Sequence, residues 1–239
     1  RYYNFIKHEV KTKSILRNTM NTDTLDLPLK YKIRIPENNK NNAPSIFFLH
    51  GYGSNMNDLF ALNQFFPDDW ACISLQGPIP TGFGGWSWAE IDYNNIKELP
   101  KPGQRISSRD DIIDSINMCV NNLDLDPKKV HLAGFSQGAA FTLFCGLTNP
   151  KLFNGLVSLC GFLEYKKIQS EIDYDVIKPL NIFVANGLVD EIIPIKLGKL
   201  TYKGLKDIGI KPLYKEYNMG HTISNDCLND FIKWINSIQ

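Results

Sequence analysis

A serine between two glycines is the strongest candidate for chemistry in this chain. Ser136 lies in the segment G-F-S-Q-G at 134–138, which fits the pattern G-x-S-x-G. The pattern alone is weakly specific, because glycine and serine are common. Here it follows an apolar run at 130–133 and precedes a helix-forming run at 139–144, so Ser136 is predicted to occupy a tight strand-to-helix turn. The alternative is that Ser136 only caps the following helix.

A base is needed to activate this serine, and histidine is the usual one. The chain has four histidines. His8 lies in an N-terminal stretch of doubtful origin, and His131 lies inside the strand that leads to Ser136, where a core position is expected. His50 is expected to brace its own loop by hydrogen bonding. His221 lies between the last predicted strand and the last helix, and is therefore predicted to be the general base.

A carboxylate is expected to orient that histidine, leaving a strand end between the serine and the histidine in chain order. Asp190 follows the apolar run at 182–185 within one short loop and is the predicted residue. Its neighbour Glu191 is the competing candidate. Asp173 and Asp175 are less well placed, because no apolar strand immediately precedes them.

Backbone donors and aromatic side chains complete the predicted site. An acyl-transfer intermediate needs N–H groups for its oxyanion, and those of Tyr52 and Gln137 are predicted to supply them. A loop at 77–88, rich in glycine, proline and aromatic residues, follows another strand. The side chains predicted to line an acyl or aryl pocket are Phe83, Trp86 and Trp88. It stays open whether this loop forms a pocket wall or only packs on the body of the protein.

Short apolar runs alternate with helical periodicity from about residue 29 onward. The predicted strands are the half-exposed 31–35 and the apolar runs 45–49, 71–75, 130–133, 156–160, 182–185 and 213–217. Helical spacing follows Ser107 and Ser108, either of which could cap a helix, and recurs at 223–235. The polar segment 37–42 is predicted to be a hairpin-type loop. The alternation predicts an α/β fold with a mostly parallel sheet and helices on both faces.

The composition is that of a globular protein with small-molecule partners. The chain has 239 residues, 43% of them hydrophobic, which suffices for one large core. Its 26 lysines and arginines nearly balance 25 acids, so no strong field is expected to draw it to nucleic acid or to an anionic membrane. No apolar stretch reaches the roughly 18 residues of a membrane span. Five scattered cysteines without C-x-x-C spacing favour a reducing, cytoplasmic setting and no metal site.

The N-terminal stretch differs in character from the rest of the chain. Residues 1–19 are basic, show no hydrophobic periodicity, and lack the apolar centre of a secretory signal. They are interpreted as a leader or vector-derived sequence. Residues 20–239 are interpreted as a single domain.

These motifs together resemble the phospholipase/carboxylesterase family of α/β-hydrolases, which includes acyl-protein thioesterases. The matching segments, in family order, are L-H-G-x-G at 49–53, G-F-S-Q-G at 134–138, G-x-x-D-x-x-x-P at 187–194 and G-H at 220–221. The resemblance implies a compact hydrolase without a large cap domain. It also implies action on carboxylic esters, lysophospholipids or S-acyl groups without a cofactor.

The chain departs from the family pattern at three places. Ser54 stands where many members carry an acid, and Asn186 stands where many have histidine. The W-S-W sequence at 86–88 looks more like bacterial members than like protein-deacylating ones. We therefore expect a serine carboxylesterase acting on small-molecule esters with short-to-medium acyl or aryl groups. A lysophospholipase or acyl-protein thioesterase is the alternative, and a catalytically silent ligand-binding module is a remote one.

Overall fold

The computed structural model describes residues 25–36, 41–82, 84–92, 100–174 and 180–238. The predicted leader at 1–19 lies outside these ranges, as do Phe83 and Asp175. The strands are β1 (Tyr31–Arg34), β2 (Ala43–Leu49), β3 (Ala71–Leu75), β4 (Ile79–Pro80), β5 (Trp86–Ser87), β6 (Leu125–Phe135), β7 (Gly155–Leu159), β8 (Asn181–Gly187) and β9 (Leu213–Tyr217). The α-helices are α1 (Asn57–Phe60), α2 (Pro102–Asn122), α3 (Gln137–Thr148), α4 (Ile195–Asp207) and α5 (Asn225–Ser237).

A seven-stranded sheet in the order β1-β3-β2-β6-β7-β8-β9 forms the centre of the structure. All its neighbouring strands are parallel except β1, which runs antiparallel to β3. Strands β3 and β7 are buried at every position, whereas β1 is half-buried throughout. The prediction of a mostly parallel sheet with a half-exposed edge strand is confirmed. We call the edge at which β2, β6, β8 and β9 end the carboxyl edge.

The segment after β1 is not a hairpin, and that prediction was wrong. β1 pairs with β3, with Tyr31 opposite Leu75, and not with the next strand in sequence. The physical reason is the apolar character of β2, which is buried on both faces and has parallel neighbours on both sides. The half-exposed β1 is left at the edge of the sheet. Residues 37–40 lie outside the described residues.

Helix α2 begins earlier than the sequence pattern predicted. Its first residue is Pro102, and neither Ser107 nor Ser108 caps it, since both lie inside the helix. Proline suits a first helical position, because the N–H that it lacks would have no partner within the helix. Ser108 instead donates from its Oγ to the carbonyl of Trp88, over 2.6 Å. This bond ties α2 to the 77–88 loop.

Helices cover both faces of the sheet, as predicted. Along β2, Phe47 and Leu49 pack into one core, while Ile46 and Phe48 pack into the other. The first core is closed by α2, α3 and α4, and the second by α1 and α5. Among the described residues, no helix combines the length and the apolar character that crossing a bilayer requires.

His131 occupies the core position expected for it. It has no exposed surface, its Nδ1 donates to the carbonyl of Ser45 over 3.1 Å, and its Nε2 accepts from the amide of Asn154 over 3.3 Å. Its ring lies 5.2 Å from that of Trp70. Burial lowers the pKa of His131 to about 4. The imidazole is therefore neutral in the folded protein at neutral pH.

We predict that His131 makes the protein acid-sensitive. The pKa is lower in the folded state than the ordinary 6.5, so the unfolded chain binds the proton first as pH falls. The free energy of unfolding should decrease by about 3 kcal/mol from this group between about pH 7 and pH 4. Urea unfolding of the wild type and of His131→Gln across this range measures the difference. Parallel pH profiles for the two proteins would show that His131 has no such role.

Candidate active site

Ser136 lies in the turn between β6 and α3, where the sequence placed it. β6 ends at Phe135, α3 begins at Gln137, and Ser136 has a φ of 54°. A non-glycine residue in this left-handed region costs on the order of 1–3 kcal/mol, and it persists only where the surroundings hold it. The N–H of Ser136 donates to the carbonyl of Leu159 over 2.9 Å, which helps to hold the turn. The hydroxyl makes no capping bond to α3, so Ser136 is not an ordinary helix cap.

The two flanking glycines are required by close backbone contacts. A Cβ atom on Gly138 would lie 2.1 Å from the carbonyl oxygen of Leu49, and one on Gly134 would lie 2.2 Å from the carbonyl oxygen of Gly138. Both distances are far inside van der Waals contact. The turn therefore packs backbone to backbone against the end of β2.

The three residues predicted to act together are within hydrogen-bonding distance. The hydroxyl of Ser136 lies 2.9 Å from Nε2 of His221, and Nδ1 of His221 lies 2.8 Å from Oδ2 of Asp190. Because a carboxylate can only accept, Nδ1 carries the proton and Nε2 is left to accept from the serine. Asp190 follows β8 and His221 follows β9, so the carboxyl edge brings both to Ser136.

Asp190 is anchored independently of the histidine. Its Oδ1 accepts from the N–H groups of Ile192 and Ile193, over 2.9 and 2.8 Å, and its side chain has no exposed surface. The competing candidate, Glu191, is exposed. The side chain of His221 is 17% exposed, which leaves it a face toward solvent.

The two predicted oxyanion donors lie on elements next to Ser136. Gln137 is the first residue of α3, so its N–H belongs to the positive end of that helix. A Cβ atom on Gly51 would lie 3.4 Å from the Cβ of Ser136, so the backbone that leads into Tyr52 runs beside the serine.

The side chain of Gln137 and the ring of Trp88 form a brace that the sequence did not reveal. The amide of Gln137 accepts from the N–H of Trp88 over 2.9 Å and donates to the carbonyl of Ala89 over 2.7 Å. The indole N–H of Trp88 donates to the carbonyl of His50 over 2.8 Å. These bonds tie the 77–88 loop to both backbone segments that border Ser136.

The three aromatic residues predicted to line a pocket have different environments. Trp88 has no exposed surface, so it braces the loops and cannot contact a substrate in this structure. Trp86 is half-buried, and its backbone pairs with the Gly53–Ser54 segment through bonds of 2.9 and 2.7 Å. Phe83 lies outside the described residues.

His50 braces its loop, as expected. Its Nδ1 donates to the carbonyl of Gly51 over 2.7 Å, and its Nε2 accepts from the N–H of Gly77 over 3.0 Å. Burial lowers the pKa of His50, so the ring is neutral, which suits one donating and one accepting nitrogen.

Cys160 is a buried neighbour of the Asp190–His221 pair. It has a φ of 50°, and its thiol donates to the carbonyl of Thr222 over 3.3 Å. The possible metal-ligand atoms of Cys160, Asp190 and His221 lie within 4.8 Å of one another. Burial raises the pKa of Cys160 to about 12, and the other two side chains already bond to each other. Hydrogen bonding thus accounts for the cluster without an ion.

We predict that Gly138→Ala destabilises the protein by about 3 kcal/mol, the upper end of overpacking effects, because its Cβ would meet the Leu49 carbonyl. Gly103→Ala is the matched control. A Cβ atom at Gly103 would have no heavy atom within 4 Å, so that variant should gain about 0.4–1 kcal/mol. Urea unfolding measures both. Equal stability of the two variants would contradict the close packing of the turn.

Residues 31–239 match the family described as Phospholipase/Carboxylesterase. The chain is 30% identical over 175 residues to acyl-protein thioesterase 1 of Aspergillus fumigatus, which covers 67% of this chain and 72% of that protein. It is 25% identical over 207 residues to a probable carboxylesterase SOBER1-like of Arabidopsis thaliana, covering 80% and 77%. The crystal structure of a Bacillus cereus carboxylesterase shares the fold, with a TM-score of 0.76 at 14% identity over 88% of this chain and 95% of that one. The chain therefore belongs to the phospholipase/carboxylesterase family of α/β-hydrolases and is a serine hydrolase.

Proposed function

We propose that this protein is a carboxylesterase in which Ser136 is the nucleophile, His221 the general base and Asp190 the residue that orients the histidine. The observation that carries the proposal is the continuous hydrogen-bond chain of 2.9 and 2.8 Å through these side chains. A strained backbone at Ser136 supports it, because such strain is retained mainly at functional positions.

The first half of the reaction forms an acyl-enzyme. Nε2 of His221 takes the proton of Ser136 as Oγ attacks the carbonyl carbon of the ester. The imidazolium that results is stabilised by Asp190. As the tetrahedral intermediate collapses, His221 gives its proton to the leaving alcohol oxygen, and the carbon–oxygen bond to that alcohol breaks. The acyl group remains on Ser136.

The second half releases the acid. Water enters the place that the alcohol left, His221 takes one of its protons, and the hydroxide oxygen attacks the acyl carbon. Collapse of the second tetrahedral intermediate breaks the bond to Oγ of Ser136, which regains its proton from His221. The products are an alcohol and a carboxylic acid, and the residues named here complete the cycle without a cofactor.

The oxyanion of both intermediates is assigned to the N–H groups of Tyr52 and Gln137. The position of Gln137 at the start of α3 and the approach of Gly51 to Ser136 support this assignment. The brace through Trp88 would keep the two donors at a fixed separation. Losing one such donor typically lowers kcat by about 10²–10³.

The preferred substrates are proposed to be esters with short-to-medium acyl groups or aryl groups. The half-buried Trp86, tethered beside Ser54, supports an aromatic wall close to the nucleophile. Phe83 stays a prediction for the same wall. Trp88 is not part of this wall, because it has no exposed surface.

Two other functions differ from this one in substrate or in chemistry. A thioesterase or lysophospholipase would use the same three residues, and the name of the Aspergillus fumigatus relative favours the former. A catalytically silent ligand-binding protein has no need for a complete hydrogen-bond chain to a strained serine. The observed geometry therefore favours the enzyme.

A reducing, cytoplasmic setting is part of the proposal. All five cysteines of the chain are free and buried. Burial raises the pKa of each of them, so the thiols stay protonated and weakly reactive.

We predict that Ser136→Ala lowers kcat by about a millionfold if the three residues act as a unit. Asp190→Asn should lower it by about 10⁴, because the amide would favour the wrong tautomer of His221. Hydrolysis of a p-nitrophenyl ester measures both. Glu191→Gln is the matched control for the acid and should retain full activity, since Glu191 is exposed. If Ser136→Ala kept a tenth of the wild-type activity, the assignment of Ser136 as the nucleophile would be wrong.

The acyl preference is testable with p-nitrophenyl esters of increasing chain length, run beside an S-acyl peptide and a lysophospholipid. We expect kcat/KM to be highest for short or medium acyl chains, and Trp86→Ala to lower it most for aryl and medium acyl esters. A higher kcat/KM for the S-acyl peptide would identify a thioesterase, and a higher value for the lysophospholipid would identify a lysophospholipase.

A further inference from the structure

Exposed apolar side chains cluster beside Asp190. In the described part of the chain, the large hydrophobic residues that are exposed are Phe65, Tyr174, Leu188, Val189, Ile192, Leu200 and Leu213. Three of these seven lie within five residues on the loop between β8 and α4. Val189 is 61% exposed, Ile192 50% and Leu188 49%. Scattered apolar residues on a surface need no explanation, but a concentrated group indicates a contact site.

The helix that follows this loop carries cations on its outer face. α4 packs on the sheet side through buried residues that include Leu197, Thr201 and Leu205. The exposed positions on its other face are Lys196, Lys199, Leu200, Lys203, Lys206 and Asp207. From 188 to 207 the chain has four lysines and two exposed acids, Glu191 and Asp207, so cations exceed exposed acids by two.

Two of the four lysines have their charge partly engaged. Lys199 pairs with Glu216 over 3.2 Å, and Lys206 lies over the ring of Tyr202 at 5.4 Å. Among the described residues, Lys196 and Lys203 form no ion pair. They stand seven residues apart, which is about 10 Å along a helix. Their charge is available to a partner.

The exposed apolar residues of the loop lead directly into the first turn of α4. The loop lies at the carboxyl edge, and α4 starts there at Ile195, so its first lysines lie next to the exposed apolar side chains. We call Leu188, Val189, Ile192, Lys196, Leu200 and Lys203 the rim patch. Because the loop also carries Asp190, the rim patch borders the candidate active site.

We propose that the rim patch docks this enzyme on an anionic lipid surface. Apolar side chains enter the headgroup region, and lysines at the same depth attract anionic lipids, so the two effects add. The balance of 26 basic and 25 acidic residues gives no strong field for the whole chain, but the charge is distributed unevenly. A second copy of the chain fits poorly, since a symmetric contact would oppose lysines to lysines.

The test is vesicle co-sedimentation of Ser136→Ala, a background in which no lipid is hydrolysed. Phosphatidylcholine vesicles are compared with vesicles that also contain phosphatidylserine. We expect binding to the anionic vesicles that weakens as salt rises. Lys196→Gln combined with Lys203→Gln should lower the partition coefficient about twenty-five-fold, at about fivefold per lysine. Val189→Ser should lower it about tenfold.

Matched controls lie away from the rim patch. Lys128→Gln combined with Lys151→Gln removes two exposed lysines near the start of β6 and after the end of α3, at the opposite edge of the sheet. Phe65→Ser removes an apolar side chain that is 46% exposed on the α1 side. Both controls should bind the anionic vesicles as the Ser136→Ala parent does.

Three results would overturn the proposal. They are equal binding to both kinds of vesicle, equal losses in the control variants, and no binding at low salt. Self-association that Val189→Ser abolishes, without vesicle binding, would assign the rim patch to a second copy instead. Vesicle binding is measured separately from ester hydrolysis, so an error in the proposed catalytic roles is distinguishable from an error in the docking proposal.

Discussion

The close approach of the β6–α3 turn to the end of β2 is the constraint on which the rest of the site depends. Gly134 and Gly138 allow this backbone contact, and any side chain there would collide with a carbonyl group. Because the turn is tight, Ser136 adopts its left-handed conformation, and the first N–H of α3 lies directly after it. The burial of α3 against both β6 and β7 offsets the strain, so the packed core holds the serine in place.

A polar brace extends this constraint to the surrounding loops. The side chain of Gln137 bonds to the backbone at Trp88, and the indole of Trp88 bonds to the backbone at His50. Trp88 and His50 have no exposed surface, so breaking the bond between the indole and the His50 carbonyl would leave a buried group unsatisfied, at a cost of about 1–3 kcal/mol. In the proposed mechanism, this rigidity keeps the oxyanion donors in position before the substrate arrives.

Much of the site could be predicted from sequence, because the motif fixes the position of the serine and the order of strands limits which residues can reach it. G-x-S-x-G after an apolar run specified the turn, and parallel strands ending at one edge brought Asp190 and His221 to it. The strand that pairs with β1 could not be predicted. An alternation of polar and apolar residues indicates which side chains are exposed, but it does not indicate which strand lies alongside. The burial of Trp88 was also missed, because an aromatic-rich loop has the same composition whether its rings line a pocket or fill a core. A net charge near zero gave no sign of the lysines on α4.

The most direct test of the proposed catalytic roles is covalent labelling with a fluorophosphonate, followed by mass spectrometry of the resulting peptides. The reagent phosphonylates a serine only when a base activates it. We predict a single adduct, on Ser136, and labelling slower by about 10⁴ or more in His221→Ala. An adduct on a different residue, or equal labelling rates in the wild type and the His221 variant, would contradict the account.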